Sequence, residues 1–303
     1  VILATGASPR RLDLPGADLD GVHHLRTVDD AVRLRDAIRG ATRVAVVGAG
    51  WIGSEVAASA RQMGAEVVLV DPAEVPLERV LGLEVGATFR ELHADHGVQL
   101  RLGTGVTELR GTKTVDTIVL ADGHTEDADV VVAGIGVTPS TELADDQPGL
   151  SVDNGILVDE FLQTGVAGVL AAGDVANAWH RHYGRHLRVE HWANALNQGI
   201  TAGRNAVGHR EAYTRLPYFF SDQYDLGLEY VGNANAEDTV TIRGDLSARE
   251  FIAFWQHDGR VTAAMNVNTG NVIEDLKALI EARRPVDASR LADADVTLGE
   301  LIP

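Results

Sequence analysis

Cysteine is missing altogether. That excludes disulfide frameworks, thiolate metal sites, cysteine nucleophiles and dithiol redox shuttles. Long apolar runs are missing too. None approaches the roughly 20 residues that a membrane span needs, and Val130–Val137 is among the longest. No charged-then-apolar leader opens the chain, so a cytoplasmic location and no membrane partner are expected. Positive charge is scarce. Lys and Arg number 26 against 44 Asp and Glu, a net charge of −18. Phosphates attract basic surfaces, so nucleic acids and anionic membranes are poor partners for this chain. An initiator methionine is also lacking. Val1-Ile2-Leu3-Ala4 reads as the middle of a strand, and a longer parent chain is expected.

What is present suffices for two or three domains with real cores: 303 residues, 45% hydrophobic. Val1–Thr5 reads as a buried strand ending at Gly6. Ala31, Leu34 and Ile38 follow helical spacing behind Asp29 and Asp30, with Gly40 as a stop. Arg43–Val47 is a β-branched run suited to a parallel strand buried on both faces. A helix over Ser54–Met63 and a strand over Glu66–Asp71 complete one βαβ unit. Helical spacing returns over Glu84–His96. Val98–Leu102 and Gly105–Leu109 read as short strands, and Val115–Leu120 with the Ala121-Asp122-Gly123 turn suggests an inserted β-meander. Asp129–Ala133, Gly155–Asp159 and Val169–Ala172 are further strands. Ala193–Val207 reads as a helix with Leu196, Ile200, Gly203 and Val207 on one face. Beyond Pro217 aromatics cluster. Strands at Thr239–Arg243, Phe251–Gln256 and Val261–Val267 then precede a helix over Val272–Ala282, a separate α+β unit.

The stretch Gly48-x-Gly50-Trp51-Ile52-Gly53 lies between a predicted strand and a predicted helix. In such a turn the first glycine permits the bend, the second admits a pyrophosphate and the third lets helix pack on strand. Asp71 ends the next strand, about twenty residues on, where an acid can bind a ribose 2′-hydroxyl. No Arg or Lys follows Asp71 directly, which favours NADH over NADPH. Glu55 stands in the first turn of the helix, where a carboxylate is favoured by the helix dipole alone. Leu170–Asp174 runs a strand into Gly173-Asp174. That is either a carboxylate for sugar hydroxyls or a buried turn. His180, His182, His186 and His191 are interleaved with Arg181, Arg185 and Arg188. The arginines argue against a metal and for a local basic patch.

Taken in order, these motifs resemble the FAD-dependent NADH–ferredoxin reductases of oxygenase systems, within the glutathione-reductase-like flavoprotein superfamily. Leu3-Ala4-Thr5-Gly6 looks like the family segment beside FAD, which implies FAD contacts at Thr5 and Gly6. Gly48 to Gly53 with Glu55 matches its NADH motif, so Gly48, Gly50, Ile52, Gly53 and Asp71 are implied in NADH binding. Glu55 is then implied near the flavin–nicotinamide contact. Gly134-x-Gly136-x-x-Pro139 resembles the domain-crossing loop. Ala172-Gly173-Asp174 resembles the second FAD motif, whose Asp binds the ribityl chain. Glu190, His191, Trp192 and Ala193 fall in the segment over the isoalloxazine, with Trp192 and Glu55 as the implied catalytic pair. Pro217–Tyr224 opens the family's C-terminal interface domain.

The resemblance implies an α/β fold with two interleaved Rossmann-like domains, the FAD domain incomplete, plus a C-terminal α+β domain. The expected segments are 1–26 and 142–215 for FAD, 27–141 for NADH and 216–303 for the interface. The family's N-terminal βαβ unit, with its own Gly-rich turn, would precede Val1. Ser140 replaces a frequent Asn, and Phe220 replaces a frequent Trp. The implied reaction passes electrons from NADH through FAD to a two-iron two-sulfur ferredoxin that serves an oxygenase. Arg181, Arg185 and Arg188 are candidates for docking that ferredoxin. The absence of cysteine separates this reaction from disulfide reduction on the same scaffold. Two other outcomes stay open: an NADH-binding regulatory flavoprotein resembling apoptosis-inducing factor, or the flavin component of a rubredoxin or nitrite reductase.

Overall fold

The computed structural model describes residues 1–302. Strands β1 (Ile2–Leu3) and β2 (Ala7–Pro9) lead to β3 (Val22–His23) and helix α1 (Val28–Gly40). Thr27 caps α1, and Thr27 and Asp30 satisfy each other's backbone amides. There follow β4 (Arg43–Val47), α2 (Trp51–Gln62), β5 (Glu66–Asp71), α3 (Glu78–Asp95) and β6 (Gln99–Leu102). Next come β7 (Val106–Gly111), β8 (Val115–Leu120), β9 (Thr125–Asp127), β10 (Val130–Ala133) and β11 (Val137–Pro139).

The central parallel sheet has the order β3-β10-β4-β5-β6. Alternation along β4 explains its two covers. Val44 and Val46 pack with Val56, Ala57 and Ala60 of α2 and Leu34 and Ile38 of α1. Ala45 and Val47 pack on Leu109, Val115, Ile118 and Leu120 of the antiparallel sheet β7-β8-β9. The predicted strand at Val98–Leu102 is the edge strand β6 of the parallel sheet, paired with β5. A four-residue run is too short for periodicity to say which sheet takes it. The helix expected from Glu84 begins earlier, at Glu78, because Gly82 (φ 77°) joins two helical pieces across a kink.

The second unit holds β12 (Ile156–Val158), β13 (Leu170–Ala171), β14 (Ala176–His180), β15 (Arg185–Arg188) and α4 (Trp192–Ala206). Strand β13 pairs in parallel with β1, and β2 pairs with β11, so residues far apart in the chain meet here. Helix α4 buries Asn194, Gln198, Thr201, Ala202 and Asn205. It exposes the predicted face, with Leu196 48% exposed, Ile200 48% and Val207 77%, and Trp192 at its N-terminus is 77% exposed. The inward polar face has work to do. Gln198 accepts from the Gly173 amide at 2.8 Å, Asn205 donates to the Phe161 carbonyl at 2.8 Å, and Asn194 accepts from the Tyr213 hydroxyl at 2.9 Å. Buried loop backbone must be satisfied.

The last unit is an antiparallel sheet of β16 (Tyr218–Gln223), β17 (Leu226–Gly232), β18 (Thr239–Asp245), β19 (Glu250–His257) and β20 (Arg260–Val267), followed by α5 (Ile273–Ala282). One face takes α3 through Leu81, Val85, Phe89 and Leu92. The other takes α5 through Leu276, Leu279 and Ile280. The aromatic cluster after Pro217 is therefore strand β16, which lies at the edge of this sheet beside α2 and α4.

Candidate functional site

At the end of β4, Gly48 adopts φ 103°, and a Cβ there would lie 2.5 Å from the Gly134 carbonyl oxygen. A Cβ on Gly53 would lie 1.8 Å from the Gly48 carbonyl oxygen, so α2 packs directly on the turn. Gly50 differs. It is the N-cap of α2, no side chain caps the helix, and a Cβ there would meet nothing within 4 Å. The first-turn amides of α2 thus face an open cradle suited to an anion. Asp71 accepts from the Ala49 amide at 2.6 Å and the Ala73 amide at 2.8 Å. It braces the turn and keeps lone pairs for hydroxyl donors. Ile52 is 43% exposed beside the cradle.

Glu55, one turn further, is half-buried. Ser221 Oγ of β16 donates to Glu55 Oε1 at 2.6 Å. Burial raises the Glu55 pKa, the Ser221 hydrogen bond lowers it, and the Asp222 charge raises it again. Trp51, the first residue of α2, meets the Phe219 ring edge-on at 4.6 Å between centroids. His191, the N-cap of α4, stacks on the same Phe219 ring at 4.4 Å. One phenylalanine thus bridges the N-termini of two helices, and α4 too has no side-chain cap.

Around the start of α4, Gly173 (φ 80°) opens a 3₁₀ turn carrying Asp174. Arg26 Nη2 donates to Asp174 Oδ2 at 2.9 Å. Burial drives the His191 pKa down to about 4, a shift Asp174 opposes, so the ring is neutral at pH 7. Thr5 Oγ1 donates to the Ser140 carbonyl at 2.6 Å, and the Gly6 carbonyl accepts from the Ser140 amide at 2.9 Å. The Gly136 carbonyl accepts from the Arg10 amide at 2.9 Å. Ala193 is half-buried beside Trp192.

The basic patch is mostly spoken for. Arg181 pairs with Glu160, and Arg185 donates to Asn233 Oδ1. Arg188, only 9% exposed along its side chain, pairs with Glu190 and reaches the Asp174 carbonyl at 3.4 Å. Arg188 therefore belongs inside the site, while Arg181 and Arg185 reach solvent. His180 is buried with Nε2 at 3.0 Å from the Arg215 carbonyl.

A family model described as pyridine nucleotide-disulphide oxidoreductase matches residues 1–199, and one described as reductase C-terminal matches residues 218–302. The chain belongs to the pyridine nucleotide-disulphide oxidoreductase family. It is 41% identical over 302 residues to the ferredoxin–NAD(+) reductase component of the anthranilate 1,2-dioxygenase system of Burkholderia cepacia, covering 98% of this chain and 73% of the relative. It is 36% identical to putidaredoxin reductase of Pseudomonas putida, covering 100% of this chain and 73% of that protein. A crystal structure of a ferredoxin reductase from Rhodopseudomonas palustris superposes with a TM-score of 0.95 at 35% identity, covering 100% of this chain and 75% of that one. The covalent putidaredoxin reductase–putidaredoxin complex gives 0.94 at 36% identity, with coverages of 99% and 73%.

The 303 residues of this chain include no cysteine, and they span 73% of the Burkholderia relative. Its chain-borne residues fit both dinucleotides. Gly50 leaves room for an anion at the α2 terminus, and the bare α4 terminus with Asp174 offers donors and an acceptor. Sequence reasoning missed Arg26, which reaches Asp174 across 148 positions with no local signal. It also missed Ser221 and Gln223, though their alternate spacing on a strand puts both on one face.

Proposed function

We propose that this chain passes electrons from NADH through FAD to a ferredoxin that serves an oxygenase. The observation that carries this reading is Phe219, packed between the first residue of α2 and the cap of α4. It brings two uncapped helix N-termini to one place, so a nicotinamide held by one can reach a flavin held by the other. Residues 27–141 would hold NADH, residues 1–26 and 142–215 FAD, and residues 216–303 would form the interface unit.

The open amides of α2 at Gly50 would take the NADH pyrophosphate, with Asp71 on the ribose and Glu55 toward the nicotinamide. Thr5, Gly6, Gly136, Gly173 and Asp174 would line FAD, and Glu190, His191, Trp192 and Ala193 would lie over its ring. When bound, FAD converts a hydride donor into a source of single electrons. The protein's share is placement, which shortens the hydride path. His191, neutral through burial, puts no fixed charge beside the ring. Trp192, 77% exposed, stands on the surface a ferredoxin must approach.

Support comes from the relatives named as ferredoxin reductases and from the complex with putidaredoxin. Among the described residues no helix is long and apolar enough to cross a membrane; the cytoplasmic location is our assignment. The test is anaerobic absorbance with FAD supplied. NADH is expected to bleach the flavin bands, and oxidised ferredoxin to restore them. NADH binding without bleaching would overturn the reading.

The ferredoxin we assign is the two-iron two-sulfur type, steered by Arg181 and Arg185. Charge reversal of both, R181E with R185E, is expected to lower the ferredoxin-dependent rate severalfold at low salt and to flatten its salt dependence. NADH bleaching will be unaltered. An unchanged ferredoxin rate would remove these two arginines from docking.

A further inference from the structure

Alternation along β16 gives the strand two faces. Phe219 packs on one of them in the core shared with α3, and Ser221 of the same face meets Glu55. Tyr218, Phe220 and Asp222 lie on the other. There they line an open cavity of about 440 Å³ together with Glu229 of β17, Asn266 of β20 and Asn268 of the loop that follows. The cavity is therefore on the side of the strand away from Glu55.

Much of its donor capacity is already taken. The Tyr218 hydroxyl donates to Glu229 Oε1 at 2.7 Å. Burial, with Glu229 alongside, pushes the Tyr218 pKa up to about 12, so that proton stays in place at neutral pH. Asn266 Nδ2 is taken by the Thr269 carbonyl at 2.6 Å, and the Gly227 amide by Asn268 Oδ1 at 2.9 Å. Acceptors are left over. Among the described residues neither Asp222 nor Glu229 is in an ion pair. Asn266 is only 4% exposed, and its Oδ1 has no partner. A buried acceptor left alone is costly, and this one belongs to a residue that borders an open space. A Cβ on Gly227 would lie 3.2 Å from Asp222 Oδ1, so the missing side chain keeps room beside that carboxylate.

Such a wall calls for a positively charged group made of donors. A metal ion does not fit, because among the described residues no three His, Cys, Asp or Glu converge to hold one. An ammonium is a compact point charge, poorly matched to acceptors spread over three strands. A guanidinium carries five N–H donors in one plane, and that plane can stack on an aromatic ring. The Phe220 ring is 61% exposed at the cavity. Lys277 of α5 stands instead over Tyr218, 5.2 Å from the ring centre, and pairs with Glu274.

We propose that this cavity binds the guanidinium of an arginine side chain borne by a protein partner, with Asp222, Glu229 and Asn266 accepting and Phe220 stacking. The cavity is too open to enclose a free small molecule, whose sites bury most of the ligand. A side chain presented by a partner needs no enclosure, since the rest of the contact holds it there. An exposed phenylalanine beside it suits such a contact, where aromatic residues are enriched. The site goes beyond the NADH reading and does not depend on it.

Nitrogen–proton NMR of the full labelled chain, titrated with acetyl-arginine amide, tests this. Amides at the cavity, Gly227, Asn266 and Gly270 among them, are expected to shift together. Acetyl-lysine amide has the same charge and will bind severalfold more weakly. Free arginine has the same net charge but sets a carboxylate against Asp222 and Glu229, and will also bind more weakly. Glu229→Gln is expected to weaken acetyl-arginine amide about tenfold. Glu237→Gln, which removes an exposed charge elsewhere in this unit, will leave it unchanged. Each variant's own spectrum shows that it is folded. Absent shifts, shifts centred away from the cavity, equal binding of the two amides, or equal losses in E229Q and E237Q overturn the proposal. Tighter binding of free arginine overturns the protein partner in favour of a small guanidine.

Discussion

Alanine at Gly50 will leave the fold intact and weaken NADH roughly thirtyfold, about 2 kcal/mol. Alanine at Gly53 will damage both fold and binding. The contrast follows from the surroundings of the two Cβ positions. Gly50 has φ −76° and ψ −173°, which any residue adopts, and its Cβ would meet nothing within 4 Å. The added methyl therefore clashes with nothing in the folded chain and intrudes only on what occupies the cradle. At Gly53 the Cβ would sit 1.8 Å from the Gly48 carbonyl oxygen, a backbone atom that cannot rotate away. Helix α2 must lift from the turn, which shifts the very amides that face the cradle. The expected loss of stability is about 3 kcal/mol or more. Thermal unfolding and NADH calorimetry on both variants check this. A Gly50→Ala chain with undiminished NADH affinity would show that the cradle is not the pyrophosphate site.

Acid will destabilise the folded chain well before its carboxylates titrate. His93 is fully buried, and burial lowers its pKa from 6.5 to about 4. In the unfolded chain it takes up a proton near pH 6.5; in the folded chain it resists until about pH 4. Between those values the unfolded state binds more protons, so stability falls as pH falls. The contribution is fully present above pH 6.5, and by pH 5 about 2 kcal/mol of it is lost. Urea unfolding at pH 7.5, 6 and 5 measures the slope. His93→Gln, which cannot ionise, will remove its share of that slope. An equal slope in wild type and variant would show that His93 is not the group responsible.

Much of the scaffold was legible because it rests on local signals. The β-branched run of β4 and the spaced glycines marked the parallel strand and its turn, and the structure puts both where expected. The antiparallel tail was legible from alternation in β18, β19 and β20. What escaped depends on distance or on reversal of a rule. Strand β6 carries no mark of which sheet takes it. Arg26 meets Asp174 only once two stretches 148 positions apart in the chain come together. Spacing put Leu196, Ile200, Gly203 and Val207 on one face of α4 but not which way it turns; a loop amide at Gly173 and a loop carbonyl at Phe161 draw Gln198 and Asn205 in and leave that face outward. Glu55 was singled out from its motif. Its partner Ser221, 166 positions away, needed the fold.

The capping of α1 has a kinetic consequence. Thr27 and Asp30 satisfy each other's backbone amides at its first turn. A helix whose first turn is closed by its own side chains opens from the other end, so hydrogen exchange along α1 will run fastest near Gly40 and slowest near the Thr27 cap.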